Sequence, residues 1–591
     1  MEQEMKRKGG ESEEIEDQTW VREACVDYKG RVPLRAATGA GKASLFVLAI
    51  AVTERIIFFG LSSNLIMYFT RVIHQDLKTA TNNVNYWRGA TTLMPLIGGF
   101  VGDVYTGGFR MVILSSILYL TGLSMLTMSQ FIPILKPFKN ETSDEPSKVH
   151  EAVFFVALYS IALGIGGFRP CLQSFGADQF DDDHLEERKK KMSFFNWWNL
   201  ILSFALLLGT TVVVYVQDFV SWGVACLAFT IFLALTVIAF YVGMPFYRYK
   251  MRPKQNPFVA IIQVLIAAIR KRNLSCPSNP ALLFEVPESQ NSQGRLLSHT
   301  NSLRFLDKAA IVEEKNTEEK DSPWKLATVT RVEETKLILN AVPVWLTSLL
   351  IGACIAYGTT LYVKQAASMN LKINDSFKVP PASMLSLTAF STLVSVPIYD
   401  RIVPILRKVT GNERGISILR RIGIGLALLT IDMVVAALVE TKRLRMVGHE
   451  VLTRGGTKPV TMHVMWLIPQ YSILGIGNSF YLTGLQEYFY HHVPDSMKSL
   501  GVALYLSGIG AGFFLSTFII NIVAYVTEIN GKGWIAKDVN SSRLDKFYGL
   551  VAGLNVLNLC IFELLARRES YKTRKATEID GSNSDGVETL P

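Results

Sequence analysis

The chain has 591 residues, 49 % of them hydrophobic and only 19 % charged, with 60 Lys and Arg against 50 Asp and Glu. A soluble protein of this length would need several domains and a larger charged fraction, so that class is excluded. The apolar residues form long blocks with no polar face; Met111 to Leu135, Phe219 to Tyr247 and Leu337 to Val363 contain no charge at all.

Lipid offers an exposed backbone no hydrogen-bond partner, so about 20 apolar residues wound as a helix are what crosses a bilayer core. The blocks therefore predict an all-α membrane protein. In chain order, residues 1–43 are a polar tail that mixes Glu11, Glu13, Glu14, Glu16 and Asp17 with basic residues. The tail holds no signal-peptide core, which leaves the first span as the targeting signal. Gly39-Ala-Gly41-Lys42 lacks the further Gly and the Ser or Thr of a phosphate-binding loop, and reads as a small-residue lead-in to that span. The N-terminal half, 44–247, holds six spans near 44–70, 83–102, 109–134, 151–175, 194–216 and 220–247. A polar linker covers 248–336, and a second half, 337–568, holds spans near 337–362, 381–403, 416–440, 461–488, 500–526 and 547–566. A second tail occupies 569–591. Twelve spans in two sets of six, with a long middle linker, is the layout of carriers built from two repeated halves. Within the linker, Asn256-Pro257 opens an apolar run, Phe258 to Ile269, that is too short to span. It predicts an amphipathic helix on the membrane face, with little order beyond it to about Asp321.

Lys and Arg near the span ends set the orientation. Arg188 to Lys191, the group from Arg401 to Arg421, and Arg567 to Lys575 all fall on the side of both termini and the linker, which is therefore assigned to the cytosol. This bias accounts for the excess of ten positive charges, and no nucleic-acid partner is needed. The sequons at Asn140, Asn374 and Asn540 fall on the opposite face and are glycosylation candidates. Lys442, Arg443 and Arg445, between the ninth and tenth spans, break the charge rule. Asp181-Asp-Asp-His184 is read as a charged, solvated turn rather than a metal site, and the six scattered cysteines suggest neither zinc nor a disulfide framework. No metal, cofactor or catalytic constellation is expected. His491-His492, the nearest candidate, stands at a helix end before Pro494.

The informative residues are charges inside spans, where each costs several kcal/mol unless paired or hydrated. The first span carries Glu54 and Arg55, the second begins with Arg88, the fourth carries Arg169, the ninth Asp432 and the tenth Glu487. Neighbours on a helix point about 100° apart, so Glu54 and Arg55 are poorly placed to neutralise each other. The expected partners are Arg169 for Glu54, and Glu487 across the two halves, in one network facing a central cavity.

A series of motifs, in order along the chain, carries a family resemblance. They include Thr53-Glu-Arg55, Gly60-Leu-Ser-Ser-Asn64, Gly99-Phe-Val-Gly-Asp103 and Phe175-Gly-Ala-Asp-Gln-Phe180-Asp. Val332-Glu-Glu-Thr-Lys336, Val379-Pro-Pro-Ala-Ser383, Gly484-Leu-Gln-Glu487-Tyr-Phe-Tyr490 and Asn540-Ser-Ser-Arg-Leu-Asp545 continue it. From about Tyr28 to Arg568 the chain resembles the plant nitrate and peptide transporter family, a branch of the proton-dependent oligopeptide transporters, and looks most like its fifth subfamily. The resemblance implies a major facilitator fold, alternating access between the halves, and a proton moving with the solute. It also implies a structural loop motif at Asp103 and Arg110.

The departures from the family pattern are as informative. The family's Glu-x-x-Glu-Arg falls on Ala51, Glu54 and Arg55, and its Gly-x-Gly-Gly-x-Lys-Pro on Gly164 to Pro170, with Arg169 in the lysine's place. Arg does not release a proton in a useful range, and one carboxylate is missing, so proton coupling is expected to be weakened. Where peptide-carrying relatives continue as Tyr-Tyr-Gly, this chain has Phe58-Phe59-Gly60, which removes two hydroxyls a peptide could bond. Where some nitrate carriers place a histidine, it has Ile355, with Tyr357 two residues on. These four residues are the candidates for the cavity wall. The expected partners are a small-molecule or anion substrate, nitrate foremost, together with protons and the bilayer, for a monomer or weak dimer. Di- and tripeptides, a hormone or metabolite conjugate, and a non-transporting receptor on a carrier fold are the alternatives. Both termini are expected in the cytosol, at the plasma or the vacuolar membrane.

Overall fold

Long helices appear where the apolar blocks predict them. The N-terminal half comprises α1 (Ala40–Arg71), α2 (Leu77–Val101), α3 (Gly108–Phe131), α4 (Lys148–Ala177), α5 (Leu185–Phe219) and α6 (Trp222–Val242). The linker contributes α7 (Pro257–Arg270), and the second half α8 (Val329–Ala367), α9 (Leu385–Thr410), α10 (Ile418–Arg454), α11 (Ile468–His492), α12 (Lys498–Ile529) and α13 (Leu544–Ser584). The computed structural model describes residues 21, 25–137, 147–181, 184–250, 257–277, 283–285, 299–312, 324–375, 377–410, 416–454, 462–492, 498–529 and 533–584. Among them, ten helices are long and apolar enough to cross a membrane. The two remaining expected spans, α2 and α11, are 25 residues each, long enough at about 1.5 Å per residue but more polar. The polar residues of α2 are turned onto other helices, which is why it starts six residues before the apolar block suggests. Asn82 and Asn85 donate to Asn521 (2.9 Å) and Ser516 (3.0 Å) on α12.

These asparagine contacts join the two halves, and two further bonds join them near the same end. Lys364 of α8 donates to Thr70 of α1 at 3.1 Å, and the Leu77 amide donates to the Lys537 carbonyl at 3.1 Å. All four lie toward the end of the bundle away from the start of α1.

At the opposite end the N-terminal segment is bound into the body of its half. Cys25 and Val26 (β1) pair antiparallel with Tyr249 and Lys250 (β2). Arg248, 1 % exposed, donates to both oxygens of Glu187 at 2.6 and 3.1 Å and to the Thr38 carbonyl at 2.8 Å. Arg35 reaches Asp181 at 2.9 Å. The predicted solvated turn at Asp181 is thus corrected: its carboxylate is buried because two arginines and Glu187 close over the end of α4. Gln179 explains part of the surrounding motif, since its amide accepts from the Arg248 amide at 2.9 Å and donates to the Phe175 carbonyl at 2.9 Å.

The apolar run of the linker forms α7, with Pro257 at its first position. Val264, Ala267 and Ala268 pack on Leu306, Ala309 and Ala310, and on the start of α8 at Val329 and Val332. Residues 299–312 are therefore ordered, contrary to the sequence expectation, with a 3-10 helix at Arg304–Ala310. The cause is a charge cluster that local composition does not reveal. The Lys336 amine lies 2.7 Å from both Asp307 and Glu333, His299 bonds Asp307 at 3.0 Å, and the Thr300 hydroxyl donates to Glu333 at 2.6 Å. His299, Asp307 and Glu333 are close enough to share an ion, but the ammonium of Lys336 already supplies the cation there. Lys336→Ala is expected to leave two buried carboxylates unpaired, a penalty of about 3–5 kcal/mol. Limited proteolysis reads the outcome: bonds within 299–312, protected in the parent protein, become rapid cleavage sites in the variant.

Candidate functional site: a cationic cluster between α1, α2 and α4

The sequence of α4 places the site. A Cβ on Gly164 would lie 2.8 Å from the Tyr119 backbone nitrogen of α3, and one on Gly166 2.8 Å from Met94 Cβ of α2. Only glycine lets α4 settle this closely between them. Pro170 then withholds its N–H from the helix ladder just after the charged residue. From this packed position Arg169 reaches α1, where its Nε and Nη2 donate to one oxygen of Glu54 at 3.1 and 2.9 Å. Its guanidinium carbon stands 3.9 Å from the centre of the Phe58 ring, a cation–π contact. Glu54 is 1 % exposed.

The other Glu54 oxygen lies 3.4 Å from Arg55 Nε. These sequence neighbours, poorly placed to neutralise each other, still touch because the arginine stem is long enough to fold back along α1, at a longer distance than Arg169 reaches. Arg88 completes the cluster, and sequence reasoning passed over it as the start of the second span. Because α2 begins at Leu77, Arg88 stands near the middle of the helix, within electrostatic reach of Arg169. Its guanidinium carbon is 5.5 Å from the Phe513 ring of α12, and its buried Nη1 has no hydrogen-bond partner among the described residues. Two guanidinium groups thus lie against one carboxylate, with a third, Arg88, within reach of Arg169, so the cluster carries an excess of two positive charges.

Glu487 is placed elsewhere. Near the end of α11 it faces Arg421 of α10 at 3.8 Å, and Arg421 in turn covers the Tyr399 ring at 4.6 Å. The expected cross-half pairing with the Glu54 group does not form in this conformation. The Glu487 side chain keeps 31 % of its exposure, so solvent screens the pair. Glu487→Gln is accordingly expected to change stability by less than about 1 kcal/mol, read by thermal unfolding of the purified protein.

The cavity-wall candidates divide. Phe58 stacks on Trp87 at 5.8 Å under Arg169, and Phe59 meets it edge-on at 5.5 Å. Ile355 is half-buried on α8, whereas Tyr357 is fully buried with its ring against Phe547 of α13, inside its own half. Arg110 is exposed at the start of α3; Asp103 lies in a π-helical turn, Gly102–Thr106, its side chain outside the described residues. Of the glycosylation candidates, Asn374 is exposed and accepts from the Phe377 amide at 2.8 Å, while Asn140 lies outside the described residues. Asn540 accepts from Arg443 at 2.6 Å. That bond accounts for one of the three charges that break the rule, because Arg443 is fully buried and bound by both oxygens of Glu440 at 2.8 and 2.7 Å. Lys442 covers the Trp466 ring at 3.2 Å.

Ten helices among the described residues long and apolar enough to cross a membrane, with charged side chains buried between helices, define a multi-pass membrane protein. Residues 109–535 match the family model described as the POT family. The chain is 51 % identical over 562 residues to Protein NRT1/ PTR FAMILY 5.6 of Arabidopsis thaliana, covering 94 % of this chain and 96 % of that one. With Protein NRT1/ PTR FAMILY 5.7 of the same plant it shares 48 % over 581 residues, covering 97 % and 96 %. The chain belongs to the POT family of transporters, in its plant NRT1/PTR branch and the fifth subfamily there. Among solved structures it is similar to the POT family transporter PepTSo, with a TM-score of 0.63 at 16 % identity over 90 % of this chain and 98 % of that one. A POT family transporter in complex with 5-aminolevulinic acid gives 0.59 at 11 % identity, over 89 % and 96 %. These likenesses establish the major facilitator fold.

Proposed function

We infer that this protein carries a small anion, nitrate foremost, by alternating access of its two halves. The observation that carries the reading is the pair Arg55 and Arg169 at Glu54 with Arg88 within reach of Arg169, because an excess of guanidinium over carboxylate among largely buried side chains favours an anionic ligand. The four cross-half bonds at the end away from the start of α1 support a cavity that opens, in this conformation, toward the termini. With both termini cytosolic, at the plasma or vacuolar membrane, that opening is inward. Glu54 is the one carboxylate of the cluster, so proton coupling through it is weak.

Tracer uptake into cells expressing the protein tests this. Labelled nitrate is expected to enter saturably, and Arg88→Gln to reduce that entry. A second reading, a carboxylate-bearing solute, draws on the aromatic wall of Phe58 and Phe59 beneath the guanidinium groups, and on the similar POT family transporter solved in complex with 5-aminolevulinic acid. Uptake of such a solute without nitrate would replace the first reading with the second. Uptake of neither, with the protein present in the membrane, would favour a receptor on a carrier fold.

A further inference from the structure

Asp432 lies on α10, inside the second half and apart from the arginine cluster. It is 0 % exposed. The Tyr362 hydroxyl of α8 donates to its Oδ2 at 3.1 Å, and its Oδ1 has no hydrogen-bond partner among the described residues. No Lys or Arg among those residues lies within ion-pair distance of it. The other titratable groups that face it are Cys354 of α8, Tyr471 of α11 and Tyr548 of α13. Tyr471 and Tyr548 meet the Tyr362 ring edge-on at 5.7 and 5.5 Å, and neither hydroxyl has a hydrogen-bond partner among the described residues. Toward the end of α10 the closest cations are Lys442, about 15 Å on at 1.5 Å per residue and lying over the Trp466 ring, and Arg443, one residue farther. Both oxygens of Glu440 already hold it.

A carboxylate in an apolar interior with no cation costs several kcal/mol, whereas the neutral acid costs far less and can itself donate a hydrogen bond. Phenol hydroxyls both donate and accept, so the surrounding tyrosines suit the acid and offer no charge to the anion. Glu54 differs in its partners, with guanidinium groups against both of its oxygens. We propose that Asp432 is a second proton-binding site, loaded as the neutral acid in this conformation and discharged when α10 moves against α8 and water enters. The ligand is a proton, and the site is independent of Glu54 and of the anion that the cluster would take.

Infrared spectroscopy of the full-length protein in lipid membranes tests the assignment without any substrate, so its failure is separate from that of the anion reading. At pH 7 the protein is expected to show the carbonyl stretch of a protonated carboxyl, displaced on transfer to heavy water. Asp432→Asn is expected to remove the amplitude of one carboxyl from that band, Glu54→Gln to leave it, and Tyr362→Phe to shift it through loss of the hydroxyl contact. Absence of the band from the parent protein at pH 7, or an undiminished band in Asp432→Asn, would overturn the proposal. Should Asp432→Asn not fold, the parent spectrum and the Tyr362→Phe shift decide the matter: a band that Tyr362→Phe leaves in place also overturns it.

Discussion

Arg169→Gln is expected to abolish solute flux while the protein still accumulates in the membrane at its usual level. Insertion depends on the hydropathy of the spans, which the change leaves untouched. The site depends on Arg169, which supplies two bonds to a Glu54 that is 1 % exposed. Removing one partner of such a buried pair costs about 3–5 kcal/mol, because the remaining charge is left without adequate compensation. Arg55, at 3.4 Å from the other oxygen, offsets only part of that. Arg169→Lys keeps the charge but loses the two-pronged geometry and the flat stacking on Phe58, so it is expected to retain partial flux. Uptake measured against surface abundance for both variants reads the result. Full flux in Arg169→Gln would show that Arg169 only braces α1 against α4.

Restoring the missing carboxylate together with a titratable lysine, in the double variant Ala51→Glu/Arg169→Lys, is expected to make transport steeply dependent on pH. Ala51 is 3 % exposed, one turn before Glu54 and one turn before Arg55 on the other count, packed with Val47, Phe168 and Leu172. A carboxylate introduced there shares its surroundings with Glu54 and has Arg55 four residues on. With three permanent guanidinium charges nearby it stays ionised, so Ala51→Glu alone is expected to change the pH response little. Replacing Arg169 with a lysine that can release its proton removes one of those permanent charges. Two carboxylates then compete for fewer cations, and one of them takes up a proton as the external medium becomes acidic. The sign follows: flux rises as external pH falls, by up to about tenfold per pH unit for one coupled proton. The parent protein is expected to respond less steeply than the double variant. Substrate-evoked flux across a pH series in the three proteins is the measurement, and a steep acid-driven response in the parent that neither change alters would leave Glu54 as a sufficient proton site.

The all-α membrane class, the order of the long helices, a helix opening at Pro257 and the membership of the family were legible because they rest on runs of adjacent residues. Lipid selects an apolar block by its own composition, and a motif is recognised residue by residue. The pairing of Arg169 with Glu54 was also legible, since Glu54 lies deep in an apolar block and needs an opposite charge from another helix. The remaining partnerships were not, because they depend on where side chains far apart in sequence come to lie. Arg88 reads as a helix start until the polar face of α2 is seen against α12. Glu487 could have faced either half, and the crossing of α10 with α11 gives it Arg421. The linker from 299 to 312 looks too polar to order until Lys336 supplies the cation for Asp307 and Glu333. Arg443 reads as one of three charges that break the charge rule, and only the fold shows it buried against Glu440 and Asn540. Hydropathy along the chain thus determined that this protein crosses the membrane and in what order. Which buried charge meets which, and hence the positive excess at the site, was decided only by the packing of the helices, because an ion pair forms only where the fold brings two opposite charges into contact.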